Sequence, residues 1–214
     1  LVALRNTVSP RNVILVGMMA GKKGKTKLLD VIAPTEIYDG RNVGTKNGKI
    51  TIKDLVSSSV DQRLLSRLHA SVGDIQDELN LRLITDRRTV SFGSTIDDLD
   101  HELAKAVFNH HEKIVGLEME GYALVGEQEE QLRDDAPNVQ HVMIKGVADY
   151  AGEIPDPNEV KELRKVPALA DFLKPPNPRE NDDLKERLQV LATQNAFRVA
   201  MNLLKRYYLV ETSS

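Results

Sequence analysis

Three clusters of residues in this 214-residue chain have types and spacings suited to chemistry. The first is Gly116-Leu117-Glu118-Met119-Glu120-Gly121. Two carboxylates flank a methionine where a strand gives way to a helical pattern. Glu118 and Glu120 point the same way if the backbone is extended, and diverge by about 160° if it is helical. A carboxylate at such a junction can accept two hydrogen bonds from a vicinal diol such as that of ribose. Acids are also common at helix N-termini, where the dipole favours them, and spacing alone leaves that plainer use open. The second cluster is Val142-Met143-Ile144-Lys145-Gly146-Val147-Ala148-Asp149. An apolar strand runs out through Gly146 and delivers Asp149 at its C-terminal end, the edge where open α/β sheets bind ligands. A turn or helix-cap aspartate would give the same pattern. The third is the glycine-bearing stretch from Gly17 to Gly24, with Lys22, Lys23, Lys25 and Lys27 beside it. Gly24-Lys25-Thr26 carries the end of a P-loop pattern, but the motif needs a glycine at position 19, which is Met19. The lysines suit a phosphate-bearing ligand, and suit a solvated surface equally.

Other chemistries find little support. The chain has no cysteine, which excludes disulfides, thiolate-zinc sites and a cysteine nucleophile. Of the histidines, His110 and His111 stand at a helix end, while His69, His101 and His141 are isolated. No H-E-x-x-H and no G-x-S-x-G occurs, so neither a metal, a bound cofactor nor a serine nucleophile is expected. Lysine and arginine number 29 against 32 aspartate and glutamate, a net charge of −3 that argues against a nucleic-acid partner. No apolar run approaches the roughly 18 residues of a membrane span, and no secretory signal is visible. A small-molecule partner and a cytoplasmic location are the expectation.

These residues need a scaffold. Hydrophobic residues make up 41% and charged residues 29% of the chain, a globular balance that fits a single domain over residues 1–214. Val13–Val16, Leu28–Ala33, Lys49–Lys53, Thr89–Phe92, Lys113–Leu117 and Val139–Val147 read as strands. Asp39-Gly40 and Asn47-Gly48 read as hairpin-type turns. Asp54 reads as the cap of a helix carrying Leu55, Leu64, Leu65 and Leu68. A second helix carries Leu99, Leu103, Ala106 and Val107, and a third spans Glu118–Leu132. Prolines at 155, 157, 167, 175, 176 and 178 mark residues 151–181 as a long loop with one short helix, of the length that serves as a lid or interface. A final amphipathic helix runs over residues 182–208. Strands alternating with helices predict a three-layer αβα fold.

Taken in order, the three clusters resemble the nucleoside phosphorylase/nucleosidase superfamily, and its methylthioadenosine/S-adenosylhomocysteine nucleosidase-like branch most closely. The likeness runs from Val13 to Asp149: the strand and glycine stretch, Leu29-Asp30-Val31-Ile32-Ala33, the Glu-Met-Glu motif, and the strand ending at Asp149. The resemblance implies a central mixed, mostly parallel sheet and a homo-oligomer. It implies that Met119 packs beneath a ribose, that Glu120 binds the 2′- and 3′-hydroxyls, and that Glu118 and Gly17 also contact the substrate. Phe92 and Ile96 would belong to the segment covering the base. Asp149 would be the general acid at purine N7, a role worth roughly 10²–10⁴-fold.

Several departures from the family pattern bear on mechanism. Ala148 stands where Ser or Thr often precedes the acid. Met18 and Met19 narrow the glycine stretch. Ile14-Leu15-Val16 lacks the arginine of phosphorolytic members, which removes a charge-assisted partner for phosphate and tilts the expectation toward hydrolysis. Lys22, Lys23 and Lys25 keep phosphate contact, or a nucleotide substrate, in view. The family's first strand, with its water-activating carboxylate, is not recognised in this sequence, so the expectation is either that it lies upstream in a longer protein or that this copy is degenerate. The expected activity is cleavage of a purine N-glycosidic bond. The alternatives are a phosphate-dependent phosphorylase and a non-catalytic nucleotide-sensing or oligomerisation module.

Overall fold

A computed structural model describes residues 12–41, 43–46, 49–52, 55–92, 101–122, 140–151, 156–173 and 181–209. Their core is a mixed eight-stranded sheet with helices packed around it, the α/β class expected. The strands are β1 (Asn12–Gly21), β2 (Val31–Ile32), β3 (Glu36–Asp39), β6 (Ser57–Ser59), β7 (Leu83–Ile84), β8 (Arg88–Ser91), β9 (Ile114–Glu118) and β10 (Gln140–Asp149). Their spatial order is β6-β3-β8-β9-β1-β10-β2-β7, and β4 (Val43–Lys46) and β5 (Lys49–Ile52) pair separately as an antiparallel hairpin. Neighbours are parallel at β3/β8, β8/β9, β1/β10 and β2/β7, and antiparallel at β3/β6, β9/β1 and β10/β2.

The longest pairing centres the sheet. β1 and β10 run in register from Asn12–Gln140 to Met19–Val147, then shift so that Ala20 pairs with Asp149. β1 is longer than its apolar run suggests. The stretch expected to be a glycine loop from Gly17 continues as strand to Gly21, because β10 on one side and β9 on the other supply its hydrogen bonds. Leu28–Ala33 does the opposite. Only Val31–Ile32 is strand; Leu28 and Leu29 form a turn, with Leu29 at φ 69°.

The helices are α1 (Gln62–Ala70), α2 (Val72–Leu79), α3 (His101–His110), α4 (Pro157–Lys165), α5 (Pro167–Ala170) and α6 (Asn181–Leu204), with a π-helical turn at Lys205–Leu209. Asp61, not Asp54, caps α1: its Oδ1 accepts the Arg63 and Leu64 amides at 2.8 and 3.2 Å. Asp54 lies outside the described residues, and Leu55 precedes the helix rather than belonging to it. Leu64, Leu65 and Leu68 are buried on α1 as their spacing predicts. The proline-rich segment holds two helices where one was expected. Pro157 and Pro167 each start a helix, where the missing amide hydrogen costs nothing. The helix expected over Glu118–Leu132 is corrected at its start, since Glu118 ends β9; Leu132 lies outside the described residues, as do Leu99 and Ile96.

Met19 and Ala20, adjacent in β1, enter different apolar clusters because strand side chains alternate. Met19 joins Ile32, Leu64, Met143 and Leu188. Ala20 joins Val90, Phe92, Val107, Phe108 and Leu117. Helix α6 lies so close to β10 that a Cβ on Gly146 would fall 2.0 Å from the Ala192 carbonyl oxygen. Gly146→Ala therefore overpacks backbone against backbone. It is expected to cost about 3 kcal/mol, the upper end for overpacking, and to lower Tm by roughly 6–12 °C in thermal denaturation.

Candidate active site

The close approach of α6 fixes the direction of the next side chain. With Gly146 facing the helix, alternation turns Lys145 to the opposite face of the sheet. There Lys145 is 2% exposed, and its ammonium group lies 2.6 Å from Glu120 Oε2 and 3.5 Å from Glu118 Oε2. The two glutamates thus converge on one cation that comes from a strand 25 residues away.

The two carboxylates are not equivalent. Glu118, at the end of β9, is buried. Its Oε2 also accepts the Glu120 and Gly121 amides at 2.9 and 2.8 Å. Gly121 has to be glycine-sized here, since a Cβ would meet Met143 Sδ at 2.6 Å and Glu118 Oε1 at 2.8 Å. Glu118 is therefore turned inward and braces the turn, away from the direct substrate contact expected of it. Glu120 keeps 53% of its side chain exposed while Lys145 grips one oxygen. That leaves the second oxygen free to face a ligand. A buried ammonium beneath a half-exposed carboxylate holds it oriented, because charge-assisted hydrogen bonds are short and strong.

Asp149 ends β10, on the other side of β1 from β9. Ala20 pairs with Leu117 of β9 and with Asp149 of β10, so the Glu118–Glu120 turn and Asp149 flank the same end of β1. The register shift at Ala20 puts an extra residue, Ala148, into β10 just before Asp149. Such irregularities re-aim the side chain that follows. The Ala151 amide donates to Asp149 Oδ1 at 3.0 Å. Met18 and Met119, 38% and 37% exposed, present apolar side chains from the same two segments. Gly17 pairs with Lys145, and a Cβ there would lie 3.2 Å from the ammonium.

Other expected contacts go elsewhere. Lys22 Nζ donates to the Phe108 carbonyl at 2.5 Å and lies over the Phe108 ring. It satisfies an orphan carbonyl at the end of α3 instead of facing a phosphate. Burial, and then Lys25, push its pKa down. Lys23 and Lys25 lie on the exposed turn after β1, with Gly24 at φ 80°. Phe92 is buried against α3, so its ring belongs to the core. Among the described residues no three His, Asp or Glu side chains form a metal-sized group. No described helix is long and apolar enough to cross a membrane.

Lys145 is the residue that pattern reading passed over. Its signal was present: a charged side chain in the middle of an apolar strand must find a partner.

No protein-family model and no curated protein matches the chain. Solved structures do. The 5′-methylthioadenosine/S-adenosylhomocysteine nucleosidase of Neisseria meningitidis, in complex with methylthio-immucillin-A, matches with a TM-score of 0.61 at 16% identity, over 95% of this chain and 73% of that one. The nucleosidase of Colwellia psychrerythraea, in complex with adenine, gives 0.61 at 17% identity, over 95% and 70%. That of Streptococcus pneumoniae, with 8-aminoadenine, gives 0.60 at 15%, over 95% and 73%. The chain has the fold of these nucleosidases. In this fold Asp149 lies at the C-terminal end of β10 beside Ala20, Lys145 stands opposite Gly17 three positions earlier in β1, and Glu118 ends β9, which runs antiparallel to β1.

Proposed function

We propose that the protein cleaves the N-glycosidic bond of a purine ribonucleoside by hydrolysis. The observation that carries this reading is the Lys145-held Glu120 carboxylate at Gly17, with Asp149 three β1 positions further on, opposite Ala20, in a chain whose structural neighbours bind adenine or nucleoside analogues. The free oxygen of Glu120 accepts from the ribose hydroxyls. Met119 gives the sugar an apolar bed. As the C1′–N9 bond breaks, its electron pair goes to the base and Asp149 delivers a proton to N7. Water adds to C1′ and releases a proton to solvent, which balances the step. Neutralising the leaving base is what general-acid catalysis contributes, roughly 10²–10⁴-fold.

Hydrolysis is favoured over phosphorolysis by the state of the nearby cations. Lys145 is the cation nearest Gly17, and it is already shared by two carboxylates. Lys22 is committed to α3. Neither offers a free charge to inorganic phosphate.

The test is to incubate the full-length protein with adenosine, methylthioadenosine, AMP and ATP, with and without phosphate, and to separate the products by chromatography. Free purine and free sugar in phosphate-free buffer are expected. Base release that requires phosphate and yields ribose 1-phosphate would replace hydrolysis by phosphorolysis. Ligand binding with no base release from any substrate would make the chain a binding module.

A further inference from the structure

One carboxylate oxygen ties helix α4 to the end of β10. Glu159 Oε1 accepts the Leu28 amide at 2.8 Å and the Tyr150 hydroxyl at 2.6 Å. Tyr150 directly follows Asp149 and is buried; its hydroxyl also lies 3.4 Å from the Thr26 carbonyl. The contact therefore joins the turn after β1, the end of β10 and the first turn of α4.

These contacts bracket two unusual backbones. Leu29 and Ala151 sit at φ 69° and 53°, a region that strains an L-residue and persists where the surroundings enforce it. Each adjoins a group that Glu159 binds: Leu28 on one side, Tyr150 on the other. Leu29 is further held by its amide on the Val147 carbonyl at 2.8 Å and by Asn195 Nδ2 on its own carbonyl at 3.2 Å. The Ala151 amide donates to Asp149 Oδ1 at 3.0 Å, so the Ala151 turn sets the direction of the Asp149 carboxylate. Asp30 stands beside the same turn, accepting the Lys27 amide at 2.8 Å and Arg82 Nη1 at 3.1 Å. Burial, and then Glu159, hold the Tyr150 phenol well above its ordinary range, so it stays a donor.

We propose that Glu159 is a positioning residue for Asp149: by pinning Tyr150 and the Leu28 amide with one oxygen, it fixes the Ala151 turn that aims the acid. Its catalytic consequence rests on the nucleosidase reading. The clamp acts on proton delivery to the base and leaves ribose binding to Glu120, so kcat and KM respond differently.

The experiment compares Glu159→Ala, Glu159→Gln and Tyr150→Phe in the full-length protein. A glutamine oxygen can accept the same two hydrogen bonds, so Glu159→Gln retains the clamp. Glu159→Ala is expected to lower kcat for base release about 10–100-fold with KM changed less than about threefold, the size expected for misplacing a catalytic group. Tyr150→Phe, which deletes only a hydroxyl, lowers kcat in the same direction and serves if Glu159→Ala fails to fold. Glu159→Gln stays within about threefold of wild type by the same reasoning. Unchanged kcat in Glu159→Ala, or a loss that Glu159→Gln shares, would overturn the proposal. Amide hydrogen exchange at residues 27–30 and 149–151 reads the clamp without turnover. Glu159→Ala should speed exchange there at least about tenfold, as local opening becomes easier, and Glu159→Gln should not. Wild-type exchange in Glu159→Ala overturns the clamp. A wild-type protein that releases no base overturns the nucleosidase reading instead, and exchange alone then decides whether the clamp exists.

Discussion

Asp149→Asn is expected to lower kcat for purine release by about 10²–10⁴-fold, the usual worth of a general acid, while nucleoside binding stays within about threefold of wild type. The reason lies in what asparagine keeps and loses. Its side-chain oxygen still accepts the Ala151 amide that holds Asp149 Oδ1 at 3.0 Å, so the turn survives. It has no proton to give to N7. A loss of kcat with unchanged calorimetric affinity for a nucleoside separates this role from a purely structural one. Unchanged turnover would remove Asp149 from the chemistry.

The second large effect concerns Lys145. Lys145→Met keeps the apolar stem of the side chain and deletes the ammonium. Glu118 is then a buried carboxylate without its cation, and Glu120 loses the partner 2.6 Å away. Breaking a buried pair from one side costs about 3–5 kcal/mol, a fall of roughly 6–20 °C in Tm for a chain of this size. Adding Glu118→Gln removes the stranded charge and is expected to recover most of the stability. It does not recover ribonucleoside affinity, because Glu120 is still unheld. Thermal denaturation and calorimetry on the single and double variants check both halves. A stable Lys145→Met with normal affinity would show that the cluster does not hold the ligand carboxylate.

The sequence made the two ends of this candidate site legible and hid what joins them. Asp149 was readable because β10 is a continuous apolar run with a carboxylate at its end. The Glu118-Met119-Glu120 turn was readable as a junction, but its two rotations of Glu118 against Glu120 could not be decided locally. The deciding group is Lys145, and convergence of residues so far apart is a tertiary fact. The register shift before Asp149 is likewise invisible to alternation counting, since it depends on the β1 partner. Local signals misled where pairing overrode them. Asp54 looked like a helix cap, yet Ser57–Ser59 pairs with β3 as a sheet-edge strand, and α1 starts later, at Asp61. Prolines read as loop markers because they break helices internally, and here they open two. Lys22 looked like a phosphate contact because its sequence neighbours are basic, whereas its partner is a helix end 86 residues away. Glu159 carried no pattern at all; its contacts with Leu28 and Tyr150 exist only in space.

The most direct test of the site is a crystal structure of the full-length protein with a purine nucleoside analogue whose base cannot leave. The expected result is one ligand at the C-terminal edge of β1, with its ribose hydroxyls on the Glu120 oxygen that Lys145 leaves free and N7, or its equivalent, within hydrogen-bond distance of Asp149. A ligand bound elsewhere, or one that meets Glu120 while Asp149 points away from the base, would contradict it.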